Sequence, residues 1–312
     1  MSETLYFIMG CTAGGKGALG RELARRLGGQ IISVDSMKVY RRMDIGTAKP
    51  LAEARREIPH WCVDVVEPWQ KFSVAEFVSC ADDAIARIRQ AGDLPLAVGG
   101  TSLYIKALSE GLFQGPAAQP ELRRGLRERA EREGLHTLHA ELAAVDPEAG
   151  DRIHPNDEKR IVRALEVYHS TGRPISELQK QWDNQPRRYD CVLIGLRREK
   201  PDRNHRINMR VKRMVQDGLV EEARALWEDP RGIAPQAAQA VGYAELFAHF
   251  RGEMSLDDAI ERVKINTRQL AKKQRTWQRR FRGVTWFDLA PDDTAQTVAD
   301  RVMQRLDLPV QP

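Results

Sequence analysis

A chain of 312 residues can bury a large core and fill more than one domain. Its 30% charged residues and mean hydropathy of −0.51, with no apolar run near the ~18 residues of a membrane span, exclude a membrane-embedded protein. The net charge is only +5, yet eight basic residues stand between Lys264 and Arg282 without one acidic residue, so the remainder carries −3. A basic block on a slightly acidic body marks one polyanion-facing surface. Cys11, Cys62, Cys80 and Cys191 are scattered without a C-x-x-C pair, and read as reduced thiols. Glu3 leads straight into the first apolar run, with no basic segment, apolar core and cleavage site of a secretory signal, so a cytoplasmic location is expected.

Leu5 to Met9 is a short apolar run that reads as a strand. Gly10-Cys11-Thr12-Ala13-Gly14-Gly15-Lys16 follows at once, and Ala18 to Leu27 has helical spacing. Strand, glycine-rich turn ending in lysine, then helix is the context that makes a phosphate-binding loop credible. Backbone N–H groups cradle anionic oxygens, the helix presents its positive dipole end, and Lys16 adds a mobile point charge. The pattern G-x-x-x-x-G-K-[ST] asks for a hydroxyl after the lysine to ligate Mg²⁺, and Gly17 stands there instead. Anion binding by the backbone survives that loss; side-chain metal ligation at position 17 does not. Glycine also weakens the helix start by about 1 kcal/mol against alanine.

Gln30 to Val34 reads as a second strand, ending at Asp35-Ser36, where open parallel sheets place their ligands. Asp35 is equally suited to cap the following turn or to act as a catalytic carboxylate. Met43 to Pro50 is a polar loop with Thr47 and Lys49, and Trp61 to Val66 is predicted as another short strand. Phe72 to Arg89 has the 3-and-4 spacing of a helix, and Leu94 to Val98 is a strand that runs into Gly99-Gly100-Thr101. This alternation predicts a doubly wound α/β core.

Residues 116–186, rich in Arg, Glu, Leu and Ala, read as a helical insertion. It includes a helix over Leu122 to Leu142 that Gly134 can break and another over Asp157 to Ser170. Tyr189 to Leu196 is a strand returning to the sheet, and Asn204 to Trp227 and Leu256 to Phe281 are predicted as long helices. The domains are thus residues 1–115 with 187–312, and 116–186. On the last helix, Val263, Thr267, Leu270, Gln274, Trp277 and Phe281 share one row, and Lys264, Arg268, Lys272, Arg275, Arg279 and Arg282 another. Exposed helices normally mix charge signs to gain i,i+4 pairs, so a basic row without Glu points to phosphate-backbone contact.

Several motifs now stand in order: Gly10-x-Thr12-Ala13-x-Gly15-Lys16, Ser33-Val34-Asp35-Ser36-Met37-x-Val39-Tyr40, Asp44 to Pro50, Pro59-His60, and Val98-Gly99-Gly100-Thr101 with Leu103-Tyr104. Arg160 to Val167, Thr171-Gly172-Arg173-Pro174, Arg206-Ile207-x-x-Arg210-Val211, Gly218 to Glu222, Val241-Gly242-Tyr243 and Thr267 to Lys272 complete the series. In these the chain resembles the tRNA dimethylallyltransferase (tRNA isopentenyltransferase) family, from Phe7 to Leu289.

The resemblance implies an α/β fold: a parallel-sheet core like that of P-loop nucleotide triphosphatases, with an inserted helical domain. It implies transfer of a dimethylallyl group from dimethylallyl diphosphate to N6 of the adenosine 3′ of the anticodon, with Mg²⁺. Gly10 to Gly17 would hold the diphosphate in what resembles an ATP-binding loop. Asp35 would be the general base, and Thr101 and Arg210 would act beside it. Ser36, Lys38, Tyr40, Lys49, Arg160, Arg163, Arg268, Lys272, Lys273 and Arg275 would meet the anticodon stem-loop, Arg160 and Arg163 being equally readable as surface ion pairs. The family usually has Ser or Thr at Gly17, Ser at Gly14, Pro at Cys11, Gln at Lys38, His at Trp61 and Gly at Ser102. Water or Ser36 would have to replace the ligand lost at Gly17. Two other readings are a tRNA-binding protein without catalysis, and a prenyltransferase for free adenine nucleotides, which would need no basic helix. A monomer is expected, since no heptad seam is present.

Overall fold

The computed structural model describes residues 4–112, 115–116, 119–183 and 187–308. Glu3 and position 186, where the sequence ends the insertion, lie outside the described residues. The chain begins with β1 (Leu5–Gly10), α1 (Lys16–Leu27), β2 (Gly29–Val34), α2 (Ala52–Glu57), β3 (His60–Trp61), α3 (Val74–Gln90), β4 (Leu94–Gly99) and α4 (Ser102–Glu110). Five helices follow: α5 (Pro120–Glu133), α6 (Leu135–Val145), α7 (Pro147–Arg152), α8 (Glu158–Thr171) and α9 (Ile175–Asp183). The chain continues through β5 (Cys191–Arg198), α10 (Lys200–Gln216), α11 (Leu219–Trp227), α12 (Pro235–Ala238), α13 (Tyr243–Phe250), α14 (Leu256–Gln278), β6 (Val284–Leu289) and α15 (Ala295–Leu306). It divides into one compact unit of Met1–Ser109 with Tyr189–Pro312 and another of Glu110–Arg188.

In the first unit the strands form one parallel sheet of order β3-β2-β4-β1-β5-β6. Burial on both faces explains the unbroken apolar run of β1, whose Leu5, Phe7, Ile8 and Met9 are at most 1% exposed. Leu19, Leu23 and Leu27 of α1 pack with Val98, Leu196 and Val302 in the core. Two glycines set the spacing next to the sheet's carboxyl edge. A Cβ on Gly20 would lie 2.8 Å from Val98 Cγ2, and one on Gly99 only 2.0 Å from the Val34 carbonyl oxygen.

In the second unit Leu126, Leu138, Leu142, Ile161 and Leu165 form a separate core. Glu166 is fully buried there, and accepts hydrogen bonds from Gln119 N at 2.7 Å, Arg123 at 2.8 Å and Arg163 at 2.6 Å. Burial pushes its carboxyl up, but the two guanidinium groups outweigh this and hold it below the usual carboxylate range. Arg163 is therefore an ion-pair partner of the insertion's own core rather than a free surface cation. Arg160 is 64% exposed beside Asp157 in the first turn of α8.

Two expected elements differ in extent and one in its buried face. The strand at Trp61 to Val66 shrinks to β3, because Cys62 (φ 58°) and Asp64 (φ 55°) are left-handed and cannot continue it. Asp64 turns inward to meet Lys49 and Arg55. The helix from Asn204 to Trp227 is two helices, α10 and α11, parted at Gly218 with φ 101°. Gly134, with φ 87°, parts α5 from α6 as its residue type allowed. On α14 the buried row is Ala259, Val263, Ala271 and Gln278, while Leu270 is 38% exposed.

Gly99→Ala should cost about 3 kcal/mol or more, because the clash is with backbone and the strands must part. Urea unfolding measures this; a loss under about 1 kcal/mol would mean that the edge relaxes freely.

Candidate active site

A cavity of about 810 Å³ opens over the carboxyl ends of β1, β2 and β4, the edge where open parallel sheets gather ligands. The loop from Thr12 to Lys16 forms one wall. Ala13 (φ 58°) and Gly15 (φ 93°) are left-handed, and Gly14 N donates to Cys11 O at 3.2 Å, which curls the chain. A Cβ on Gly14 would come 2.9 Å from that same oxygen. Among the described residues no side chain caps the start of α1, so its N–H groups remain for a ligand.

Lys16 folds back across the turn, with Nζ donating to Cys11 O at 2.7 Å. Protein crowds this ammonium group, and burial is the main cause that brings its pKa to about 8, with Arg210 and Lys38 adding to the effect and Asp35 opposing it. Burial also pulls Lys38 down, helped by Arg210 and Arg21, and burial pulls Arg210 down. Lys16, Lys38, Arg210 and Arg21 all line the cavity. Among the described residues the side chains of Lys38, Arg210 and Arg21 have neither an ion-pair nor a hydrogen-bond partner. A group of cations left unpaired in a concave site is arranged for an anion that arrives from outside.

Asp35 makes the turn contact open to its residue type and leaves one oxygen toward the cavity. Its Oδ1 accepts from Met37 N at 2.9 Å, which fixes the turn, and its other oxygen has no partner among the described residues. Asp35 lines the cavity. Thr101 locks this turn to β4: its N donates to Val34 O at 3.3 Å, and its Oγ1 accepts from Ser36 N at 3.1 Å.

Two glutamines of α14 complete the frame. Gln274 Oε1 accepts from Thr12 N at 2.8 Å while its Nε2 donates to Gly100 O at 3.2 Å. Gln278, 1% exposed, donates to Gly10 O at 3.1 Å. Spacing alone placed Gln274 in an apolar row and passed over Gln278. A glutamine within a row of Val, Leu and Trp was the available signal.

The structure revises Tyr40 and Lys49 as candidate RNA contacts. Tyr40 is 1% exposed, sealed beneath the loop. The Lys49 side chain is 3% exposed, and Nζ is held by Tyr40 O, Asp44 and Asp64. The surrounding loop is a brace: Glu222 accepts from the N–H groups of Asp44, Ile45 and Gly46 and from the Tyr243 hydroxyl. On α14, Arg268 donates to Asn208 at 2.6 Å, Lys272 and Lys273 are exposed and Arg275 is half-buried. Lys264, at the start of the basic row, pairs with Glu261.

Among the described residues no cluster of three His, Cys, Asp or Glu side chains can hold a metal ion, and no helix is long and apolar enough to cross a membrane.

The model of the IPP transferase family matches residues 38–281. The chain belongs to the IPP transferase family. It is 47% identical to a tRNA dimethylallyltransferase of Geobacter metallireducens, over 91% of this chain and 92% of that one. A tRNA dimethylallyltransferase of Geobacillus thermodenitrificans is also 47% identical, over 93% and 91%. The crystal structure of a tRNA isopentenylpyrophosphate transferase from Bacillus halodurans matches with a TM-score of 0.71 at 39% identity, over 98% of this chain and 97% of that one. A eukaryotic dimethylallyltransferase solved acting on tRNA matches with a TM-score of 0.79 at 26% identity, over 100% and 81%. As an IPP transferase, the chain has its sheet and glycine-rich loop in a fold of the P-loop nucleotide triphosphatase type.

The folded pKa of Lys16, about 8, lies below its unfolded value of 10.5. The unfolded chain therefore binds more protons between those values, and this group makes the ligand-free protein more stable as pH rises from 8 to 10.5, by roughly 3 kcal/mol. Urea unfolding of wild type against Lys16→Met, below and near the top of that window, should show the rise in wild type alone. An equal rise in both would place the cost of burial on another group.

Proposed function

We propose that this chain transfers a dimethylallyl group from dimethylallyl diphosphate to N6 of the adenosine 3′ of the anticodon in tRNA, in the cytoplasm. The observation that carries this reading is the meeting of unpaired Lys38 and Arg210, the folded-back Lys16 and the Asp35 carboxylate in one cavity. The diphosphate sits on the Gly10 to Gly17 loop, against Lys16 and Arg210. The prenyl tail lies on the apolar wall of Val211, Met214, Leu219 and Val263. As N6 attacks, the bond from the prenyl carbon to diphosphate oxygen breaks and the N–C bond forms. The N6 proton passes to Asp35, and the cations stabilise the charge left on diphosphate. Thr101 positions Asp35 through the Ser36 amide. The adenosine must leave the anticodon stack, at a cost of a few kcal/mol. Lys272, Lys273 and Arg275 are the natural contacts to the stem backbone.

Mg²⁺ is the cofactor expected from the motifs, and the donor set does not fit a protein-held divalent ion. Position 17 has no side-chain oxygen, Asp35 offers only its one free oxygen, Thr101 Oγ1 already accepts a backbone N–H group, and the surroundings are cationic. What remains of that expectation is a divalent ion entering on the diphosphate itself, with Ser36 or water beside it.

Mass spectrometry of nucleosides from unmodified tRNA incubated with protein, Mg²⁺ and dimethylallyl diphosphate tests the reading. A prenylated adenosine is expected; unchanged tRNA would overturn it and favour a binding protein without catalysis, for which no observation speaks. Asp35→Ala should lower kcat by about 10²- to 10⁴-fold with tRNA affinity nearly intact. A large loss of affinity instead would make Asp35 structural.

A further inference from the structure

We propose that Lys38 takes the electrostatic place of a protein-held metal ion, so that this enzyme neutralises the diphosphate mainly with its own side chains. The inference rests on the reading of the cavity as a prenyl diphosphate site. Two features of the cavity lining lead to it. The loop lacks a metal-ligating hydroxyl at Gly17, and a Cβ there would meet nothing nearer than an Arg21 guanidinium nitrogen at 3.7 Å. The neighbourhood of position 17 thus holds a cation, not a ligand. Three residues beyond Asp35, Lys38 adds a second unpaired cation to the same cavity.

Lys38 is well fixed for such a task. Its carbonyl accepts from Asp64 N at 3.1 Å, and Asp64 is itself held by Lys49 and Arg55. Val39 and Tyr40, which follow, are at most 1% exposed. The backbone that bears the ammonium group is therefore set before the ligand arrives, which lowers the ordering cost of binding. An alkyl diphosphate carries roughly three negative charges near neutral pH. Lys16, Lys38 and Arg210 supply a matching number of positive ones, whereas a divalent ion held beside them by protein would be repelled. Lys38 is a catalytic residue on this account, touching the leaving group.

Calorimetry with inorganic diphosphate as probe, in EDTA and at saturating Mg²⁺, tests this. Wild type should bind diphosphate in EDTA within a few-fold of its affinity in Mg²⁺, while Lys38→Gln should weaken binding in EDTA by about 10- to 100-fold and recover in part with Mg²⁺. Adding Gly17→Thr to Lys38→Gln should deepen that recovery. Loss of wild-type binding in EDTA would overturn the inference without any variant, as would a Lys38→Gln protein that binds diphosphate normally in EDTA and loses only tRNA affinity. Failure of diphosphate to bind under either condition would instead overturn the donor reading itself.

Discussion

Positive charge gathered in one cavity without a carboxylate partner is the constraint on which the rest of this structure depends. Lys38 and Arg210 face the cavity unpaired, Lys16 reaches only a carbonyl, and Asp35 stands alone as the carboxylate that opposes them in the pKa of both lysines. Such an arrangement costs the ligand-free protein stability. The fold tolerates it because the sheet edge beneath is tightly built, with Gly99 against the Val34 carbonyl and Gly20 against Val98. The strained site and the rigid edge are two sides of one arrangement.

Helix α14 binds this site to the basic surface. Its Gln274 and Gln278 grip the backbone at Gly10, Thr12 and Gly100, while Lys272 and Lys273 on the same helix face solvent. One rigid element thus carries both the clamp on the phosphate loop and the expected RNA contacts. A tRNA seated on α14 and a diphosphate seated in the loop would share a frame, which keeps the reacting atoms in register without a moving part.

Much of this was legible in the sequence, because the signals were local. Strand, glycine-rich turn and lysine named the phosphate loop, and polar residues at strand ends named Asp35 and Thr101. What escaped depends on partners distant in sequence. Lys49 and Tyr40 lie within motif stretches and read as site residues, yet Asp44, Asp64 and Glu222 draw that loop into a brace. The period of α14 said which residues share a row, but not that the helix meets open backbone groups of the loop, so Gln274 passed for packing and Gln278 was left out of the row. Gly218 split a predicted helix through a left-handed φ that period-counting ignores. Strand β6 and helix α15 close the sheet's far edge and pack with α1, through partners far away in sequence that no local signal names.

The most direct test of the unpaired-cation account is thermal unfolding of the ligand-free protein with increasing inorganic diphosphate, alongside sulfate at the same ionic strength. A ligand that binds only the folded state raises Tm with its concentration. The account predicts a steady rise with diphosphate, far exceeding that with sulfate, and its loss when Lys16 and Arg210 are both made neutral. An unchanged Tm, or an equal response to the two anions, would contradict it.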